Sequence, residues 1–493
     1  VEETKFLGLI FDKKLNFIPH IKYVKKKCQK ALDLLRVVAN TEWGGDQKTL
    51  LSIYHALVRS KLDYGSMVYG SARPSYIQML NPVQNQGLRL CLGAFRTSPA
   101  DSLAVEADEM PLALRREKLA LQYATKVASN PDNPAYECIF HPNYVDLFEK
   151  KPSAIPTFGI RIQENMSMLD NFKPEKIAKF KYPVTPPWIY RPAHVNLALA
   201  EFKKSETDPN VYISEYKNIK HIHNGYEFIY TDGSCCNTKA AAAAIKGSHS
   251  YVERLPDHAS IYSAELHAIY LALDHVETSE GKKFVIFVDS KSVLQALEKK
   301  DWQNPLVQKI LERHSWLCGE GQKKIVFCWI PSHIGIKGNE AADKAAKDGL
   351  DKAVTQMSIP YTDYKMYITR LVRFKWQGEW APKFDNKLNE VHPNIGKWNC
   401  GYQCSRKEQS VLSRIRIGHS HLTHCYLLKG EDAPECISCA CQLTVKHILI
   451  ECAEFDETRE QYFNVNCLQD LFDKVQPHLI LSFLRDIDLF NRF

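Results

Sequence analysis

At 493 residues the chain is long enough for about three domains, and 45% hydrophobic with 25% charged residues is a globular composition, not a disordered or fibrous one. No apolar run approaches the ~18–20 residues that a membrane helix needs, and no basic–apolar–cleavage pattern opens the chain, so the expectation is an intracellular protein of nucleus or cytoplasm, neither secreted nor bound to a membrane. The 64 Lys and Arg exceed the 57 Asp and Glu, for a net +7 that suits a polyanionic partner without demanding one. Fifteen cysteines, an odd number clustered only near the C-terminus, read as reduced thiols with room for one metal site. The first residue is Val1, which reads as the start of a fragment or processed piece.

Residues 1–150 are expected to be mainly helical after a short strand at Lys5–Phe11. Ile21, Val24, Cys28, Leu32 and Leu35 recur at helical steps and form a buried stripe. The opposite face carries Lys22, Lys25, Lys26, Lys27 and Lys30, either a solvated face or one that contacts phosphates. A second helix should start at Asp46, with Leu50, Ile53 and Leu57 inward. Pro174, Pro183, Pro186, Pro187 and Pro192 deny residues 151–221 helix and central strand, and predict an extended connector.

From residue 222 to 353 the pattern becomes α/β. Phe228–Tyr230, Phe284–Val288 and Ile325–Ile330 read as strands, the second buried on both faces. Leu266, Ile269, Leu273 and Val276 mark one helix, Lys291–Leu297 another, and an alanine-rich helix should open at Asn339. Asp232 and Asp289 each end a strand, where open α/β sheets bind ligands. Glu265 edges the packing face of the first helix, and Asp343 lies among small alanines in the last. Each acid alone reads as an ordinary solvated residue. Gathered, the four would repel unless neutralised by hard divalent cations such as Mg²⁺ or Mn²⁺.

Tyr230-Thr231-Asp232-Gly233-Ser234, Ser263-Ala264-Glu265-Leu266, Val288-Asp289-Ser290, Trp329-Ile330-Pro331-Ser332-His333 and Gly338-Asn339-Glu340-Ala341-Ala342-Asp343 resemble, in order, the motifs of ribonuclease H. The resemblance implies a mixed five-stranded sheet with flanking helices and cleavage of the RNA strand of RNA–DNA hybrids. It also implies that Asp232, Glu265, Asp289 and Asp343 bind two Mg²⁺, with Mn²⁺ as a substitute. His333, in a loop loosened by Gly335 and Gly338, would then shuttle a proton or assist product release; by itself it reads as a solvated loop histidine. No long basic insertion follows Leu297 to hold the DNA strand.

The flanks carry a second resemblance. Phe6-Leu7-Gly8-Leu9-Ile10-Phe11-Asp12 and Leu57-Val58-Arg59-Ser60-Lys61-Leu62-Asp63-Tyr64-Gly65 are similar to the segment after the polymerase palm in jockey-like non-LTR retrotransposons. That similarity implies a thumb-like reverse transcriptase tail over 1–150 and a parent polyprotein with upstream reverse transcriptase domains as partners. The aromatic-x-Asp-Asp turn of such polymerases is missing from the sequence, so DNA synthesis is not expected of this chain. Residues 354–493 should hold a small helical tail with a metal site at 436–452. Cys436, Cys439, His447 and Cys452 have donor types and spacing suited to tetrahedral Zn²⁺, with Cys441 as an extra candidate. They resemble the cysteine–histidine knuckle of these polyproteins; buried free thiols beside a helix histidine are the other reading. Arg414 and Arg416 would then help grip nucleic acid. Two rivals to the nuclease stay open, an inert nucleic-acid-binding remnant and a different nuclease on the same sheet, such as an integrase or resolvase.

Overall fold

The computed structural model describes residues 2–150, 155–169, 172–181, 186, 188–203, 206–398 and 403–493. They divide into two compact units, one of Val1–Ala120, Tyr144–Arg161 and Arg370–Phe493, the other of Leu121–Asn143 and Ile162–Thr369. Among the described residues no helix is long and apolar enough to cross a membrane.

The second unit is built on a mixed sheet. In chain order it runs β1 (His194–Asn196), α1 (Pro209–Ile222), β2 (Glu227–Cys236), β3 (Lys239–Lys246), β4 (His249–Leu255), α2 (Ile261–Thr278), β5 (Lys283–Val288), α3 (Lys291–Lys299), α4 (Pro305–Gly319), β6 (Lys324–Trp329) and α5 (Lys337–Gly349). The strand order is β1-β6-β5-β2-β3-β4. Strands β2, β3 and β4 pair antiparallel, while β1, β6, β5 and β2 run parallel. Phe284–Val288 are fully buried, as their unbroken apolar run requires of a central parallel strand.

Register sets the two faces. Asp232 lies opposite Ala243 and Tyr230 opposite Ile245, so these four share one face, while Gly233 and Ala242 share the other. Ala240–Ala244 are completely buried, and such small side chains let a helix settle on each side. On the first face a Cβ at Gly338 of α5 would collide with the Tyr230 ring. On the second, a Cβ at Gly233 would stand 2.7 Å from the Glu265 N and 3.0 Å from Ala264 Cβ of α2.

The sheet therefore has six strands, not the expected five, and the extra one comes from the proline-rich stretch. Residues 151–221 are not a bare connector where they are described. Strand β1 pairs with β6 through Val195 and Phe327, at the sheet edge where neighbouring prolines do no harm. Pro209 starts α1, a position that tolerates proline, and Asp208 caps the helix by accepting from the Asn210 N–H at 2.7 Å. Tyr212 and Ile219, seven positions apart on one face, then bury themselves against the sheet with Val285, Phe287 and Val326. Pro183 and Pro187 lie outside the described residues.

In the first unit the N- and C-terminal regions, expected as separate domains, fold together. The Arg406 guanidinium donates to the Cys91 and Leu90 carbonyls at 2.7 and 2.9 Å, and the Gln47 amide donates to Ser413 Oγ at 2.7 Å. The expected strand at Lys5–Phe11 is a hairpin, Glu3–Phe6 with Leu9–Asp12, turned at Leu7 and Gly8, both with positive φ. Helix Ile18–Val38 buries the whole predicted stripe. Asp46 caps helix Gln47–Tyr54 and Leu50 is buried, but Leu57 is exposed and Tyr54 and Val58 turn inward instead. The π-turn His55–Arg59 adds a residue to the repeat and rotates the stripe.

Candidate active site and a second donor cluster

The three strand-end and helix-edge acids converge. Asp232, Glu265 and Asp289 place one carboxylate oxygen each within 4.8 Å of one another. Local sequence explains the approach. Asp232 points from its face of β2, and the bare Gly233 beside it admits α2 closely enough for Glu265 to reach the same spot. The Gly233 N–H donates to both carboxyls. Asp289 follows β5, whose neighbour is held by the Thr231 hydroxyl donating to the Phe287 carbonyl at 3.2 Å. The Trp329 indole N–H donates to the Asp289 carbonyl at 2.9 Å.

Asp343 stands beside this trio rather than inside it. It hydrogen-bonds to Asp232 and accepts from Lys347 Nζ, one turn on, at 2.7 Å. His333 is exposed on its loop with φ at 56°, and its charge is felt by Asp289. Gly335 shares the left-handed backbone of that loop, but Gly338 does not loosen it, being already packed inside α5.

Helix α5 opens at Lys337, before Asn339, which is therefore not its cap. Asn339 is instead a buried partner of the site, its amide donating to Asp289 Oδ2 at 3.3 Å. Its place four residues before Asp343, on the same helix face, was the available sequence signal.

Electrostatics show what the cluster lacks. Burial, then the charges of Asp289 and Asp343, pushes Asp232 up to about 8. Burial, then Asp289 and Asp232, pushes Glu265 up to about 9. Asp289 is raised by burial, against the opposing hydrogen bond from Asn339. Glu265 Oε2 is buried with no hydrogen-bond partner. Repelling carboxyls and an orphaned acceptor of this hardness fit a divalent cation with oxygen preference.

Residues 224–351 match the RNase H family model. This part of the chain is an RNase H domain. The chain is 26% identical over 140 residues to Ribonuclease H1 of Homo sapiens, covering 24% of this chain and 49% of that protein. Against Ribonuclease H1 of Rattus norvegicus the figures are 25% over 169 residues, 30% and 58%. The Pol polyprotein of Equine infectious anemia virus (strain Wyoming) is 32% identical over 126 residues, 24% of this chain and 10% of that protein. The chain thus spans about half the length of the ribonucleases it matches and a tenth of the polyprotein. Strand β1 and helix α1 lie ahead of the RNase H match, so the sheet of this chain draws on sequence outside it.

A second donor group lies in the first unit. Cys436, Cys439, His447 and Cys452 bring their ligand atoms within 4.8 Å of one another. A two-residue hairpin, Glu435–Cys436 with Cys441–Gln442, folds back the first two cysteines, and the turn His447–Glu451 presents the histidine. The Cys436–Cys452 and Cys439–Cys452 sulfur separations are 3.8 and 3.9 Å. Tetrahedral zinc with Zn–S bonds of about 2.3 Å needs sulfurs roughly 3.8 Å apart. A hydrogen bond with His447 draws Cys436 down to about 7, while burial pushes Cys452 up to about 12. Cys441 stays exposed outside the four, its sulfur 3.4 Å from His447 Nδ1.

Arg414 and Arg416 are not a nucleic-acid grip. The Arg414 guanidinium donates to the Gly93 and Phe493 carbonyls at 2.7 and 2.5 Å. Arg416 is buried against Glu106 at 3.4 Å and stacks over Trp398 at 4.0 Å. Both side chains are spent inside the unit, because the helix Arg406–Ile417 that carries them is buried on several faces.

Proposed function

We propose that the chain hydrolyses the RNA strand of RNA–DNA hybrids at Asp232, Glu265, Asp289 and Asp343, leaving 5′-phosphate and 3′-hydroxyl ends. The observation that carries this reading is the carboxylate trio itself, held within 4.8 Å, destabilised by its own charge and left with an unpartnered oxygen, in a domain of matching family. A pair of Mg²⁺ ions, or Mn²⁺, supplies in such a site the activation of a water and the stabilisation of the leaving oxygen. The first three acids would hold the cations, with Asn339 fixing the rotamer of Asp289. Asp343 completes the set once released from Lys347. His333, exposed on the loop before α5, would shuttle a proton or assist product release.

Similarity to the Pol polyprotein favours a polyprotein origin, and the flanking motifs favour a jockey-like retrotransposon parent with upstream reverse transcriptase domains. Cys436, Cys439, His447 and Cys452 hold Zn²⁺ on this reading, as their tetrahedral sulfur spacing supports.

The test is incubation of the chain with end-labelled hybrid and Mg²⁺, beside Asp289→Asn. Cleavage of the RNA strand by the parent chain alone supports the proposal. Tight binding without cleavage would make the chain an inert remnant, and cleavage of duplex DNA in preference to hybrid would make it a different nuclease.

A further inference from the structure

Helix Ile18–Val38 carries a charge pattern that its own fold does not use. Its apolar stripe is buried, and Lys22, Lys25, Lys26, Lys27 and Lys30 are all exposed. Lys22, Lys26 and Lys30 stand on successive turns, a stripe about 12 Å long at 1.5 Å per residue, with Lys25 beside it. Like charges at such spacing destabilise a helix. Lys27 sits over the Tyr23 ring at 4.8 Å, and among the described residues the other four have no such cover. The helix has no acid before Asp33, which Arg36 engages at 2.8 Å, and among the described residues no carboxylate pairs with any of the five lysines. Nine Lys and Arg against four Asp and Glu lie in residues 1–40, so this stretch holds +5 of the chain's +7.

We infer that this lysine face is a second nucleic-acid contact, separate from the carboxylates, that binds the sugar–phosphate backbone by charge and reads no sequence. Lysine suits that task as a flexible point charge. Anionic lipid is the poorer fit. The long apolar stripe is occupied by the unit's core, and only Leu34, Val37 and Val38 near the helix end are exposed, too few to enter a bilayer. The choice of nucleic acid rests on the proposed RNase H function, whose substrate is itself a polyanion.

The test uses the full chain without divalent metal, so that binding is read apart from cleavage. Fluorescence anisotropy with a labelled hybrid is followed against salt for the parent and for Lys22→Gln/Lys25→Gln/Lys26→Gln/Lys30→Gln, with circular dichroism to check folding. Each lost backbone contact removes roughly 0.9 from the slope of log affinity on log salt, so the slope should shrink by about 3–4 and affinity fall at least about tenfold at moderate salt. The matching Lys→Arg variant should keep both, and a short hybrid at saturation with Mg²⁺ should be cleaved at the parent rate by all three. An unchanged slope in the glutamine variant overturns the inference. So does lysine-dependent binding to phosphatidylserine vesicles with no change toward hybrid. If the parent cleaves no hybrid, the proposed activity fails, while the salt slope still decides this inference.

Discussion

The carboxylates of the sheet and the thiols near the C-terminus both gather within 4.8 Å, but by different routes and to different electrostatic ends. The acids come from one strand, one helix and the turn after a second strand, spread over residues 232–289, and only the assembled sheet brings them together. The thiols and imidazole come from residues 436–452, where a hairpin and one turn suffice. The acids remain in conflict, raised by burial and mutual repulsion with an oxygen unpaired. Two of the sulfur separations, 3.8 and 3.9 Å, already match the edge of a tetrahedron around zinc. A cation among the acids is therefore expected to exchange and to leave room for substrate, whereas one among the thiols closes its site and serves the fold.

The comparison breaks most visibly at the thiols. Structural zinc contributes on the order of 10 kcal/mol to the folding of a small site. Cys452→Ser should abolish zinc content by elemental analysis and remove or sharply lower a melting transition in the first unit, while leaving the hybrid cleavage proposed for residues 224–351 unchanged. Retention of zinc and of the full melting curve would show the cysteines to be ordinary core thiols.

Glu265→Gln should act in the opposite sense on the acids. Loss of one hard ligand should cost about 4 kcal/mol of barrier, near a thousandfold in single-turnover cleavage. Above about pH 9, where Glu265 is ionised, the same variant should melt at a higher temperature than the parent without metal, because a neutral amide ends the repulsion with Asp289 and Asp232. A variant that melts lower in both states would mean the carboxylate is structural.

Gly233→Ala tests the approach of α2. Its Cβ would stand 2.7 Å from backbone, an overpacking that should cost about 1–3 kcal/mol in denaturant unfolding. Mg²⁺ binding by calorimetry should weaken with it, since Glu265 is carried on the displaced turn.

The smallest effect is on pH. Without metal, Asp232 and Glu265 titrate near 8 and 9, far above their unfolded range. The folded state thus holds more protons than the unfolded one between about pH 4 and 9, and its stability is lost as pH rises through those values. The melting temperature of the metal-free chain should fall by a few degrees from pH 6 to 9, and Mg²⁺ should restore more of it at pH 9 than at pH 6. A melting temperature that rises over this range contradicts the buried, metal-free carboxyls.

Much of the second unit was legible because its signals are local. The run Phe284–Val288 had to be a doubly covered strand, and the stripe Leu266–Val276 had to face a sheet. Strand β1 was not legible. Three residues at a sheet edge among prolines carry no periodicity, and only pairing with β6 makes them a strand. Asn339 was misread for a related reason. Its cap propensity is a property of the residue, but its role depends on Asp289, fifty positions earlier, arriving beside it. Arg414 and Arg416 show the reverse error, since positive charge suggests an external partner until Glu106 and Trp398 are seen to enclose it.

The order of the acids, the donor types at 436–452 and the run of lysines on the first long helix are all chemistry written in residue identity, and the sequence alone determined them. Whether those groups meet depended on tertiary structure, for a physical reason. Charge and donor type belong to single side chains, but distance, burial and mutual repulsion exist only once remote segments are packed. Small residues such as Gly233 and Ala240–Ala244 mediate that step by allowing helices to close on both faces of one sheet.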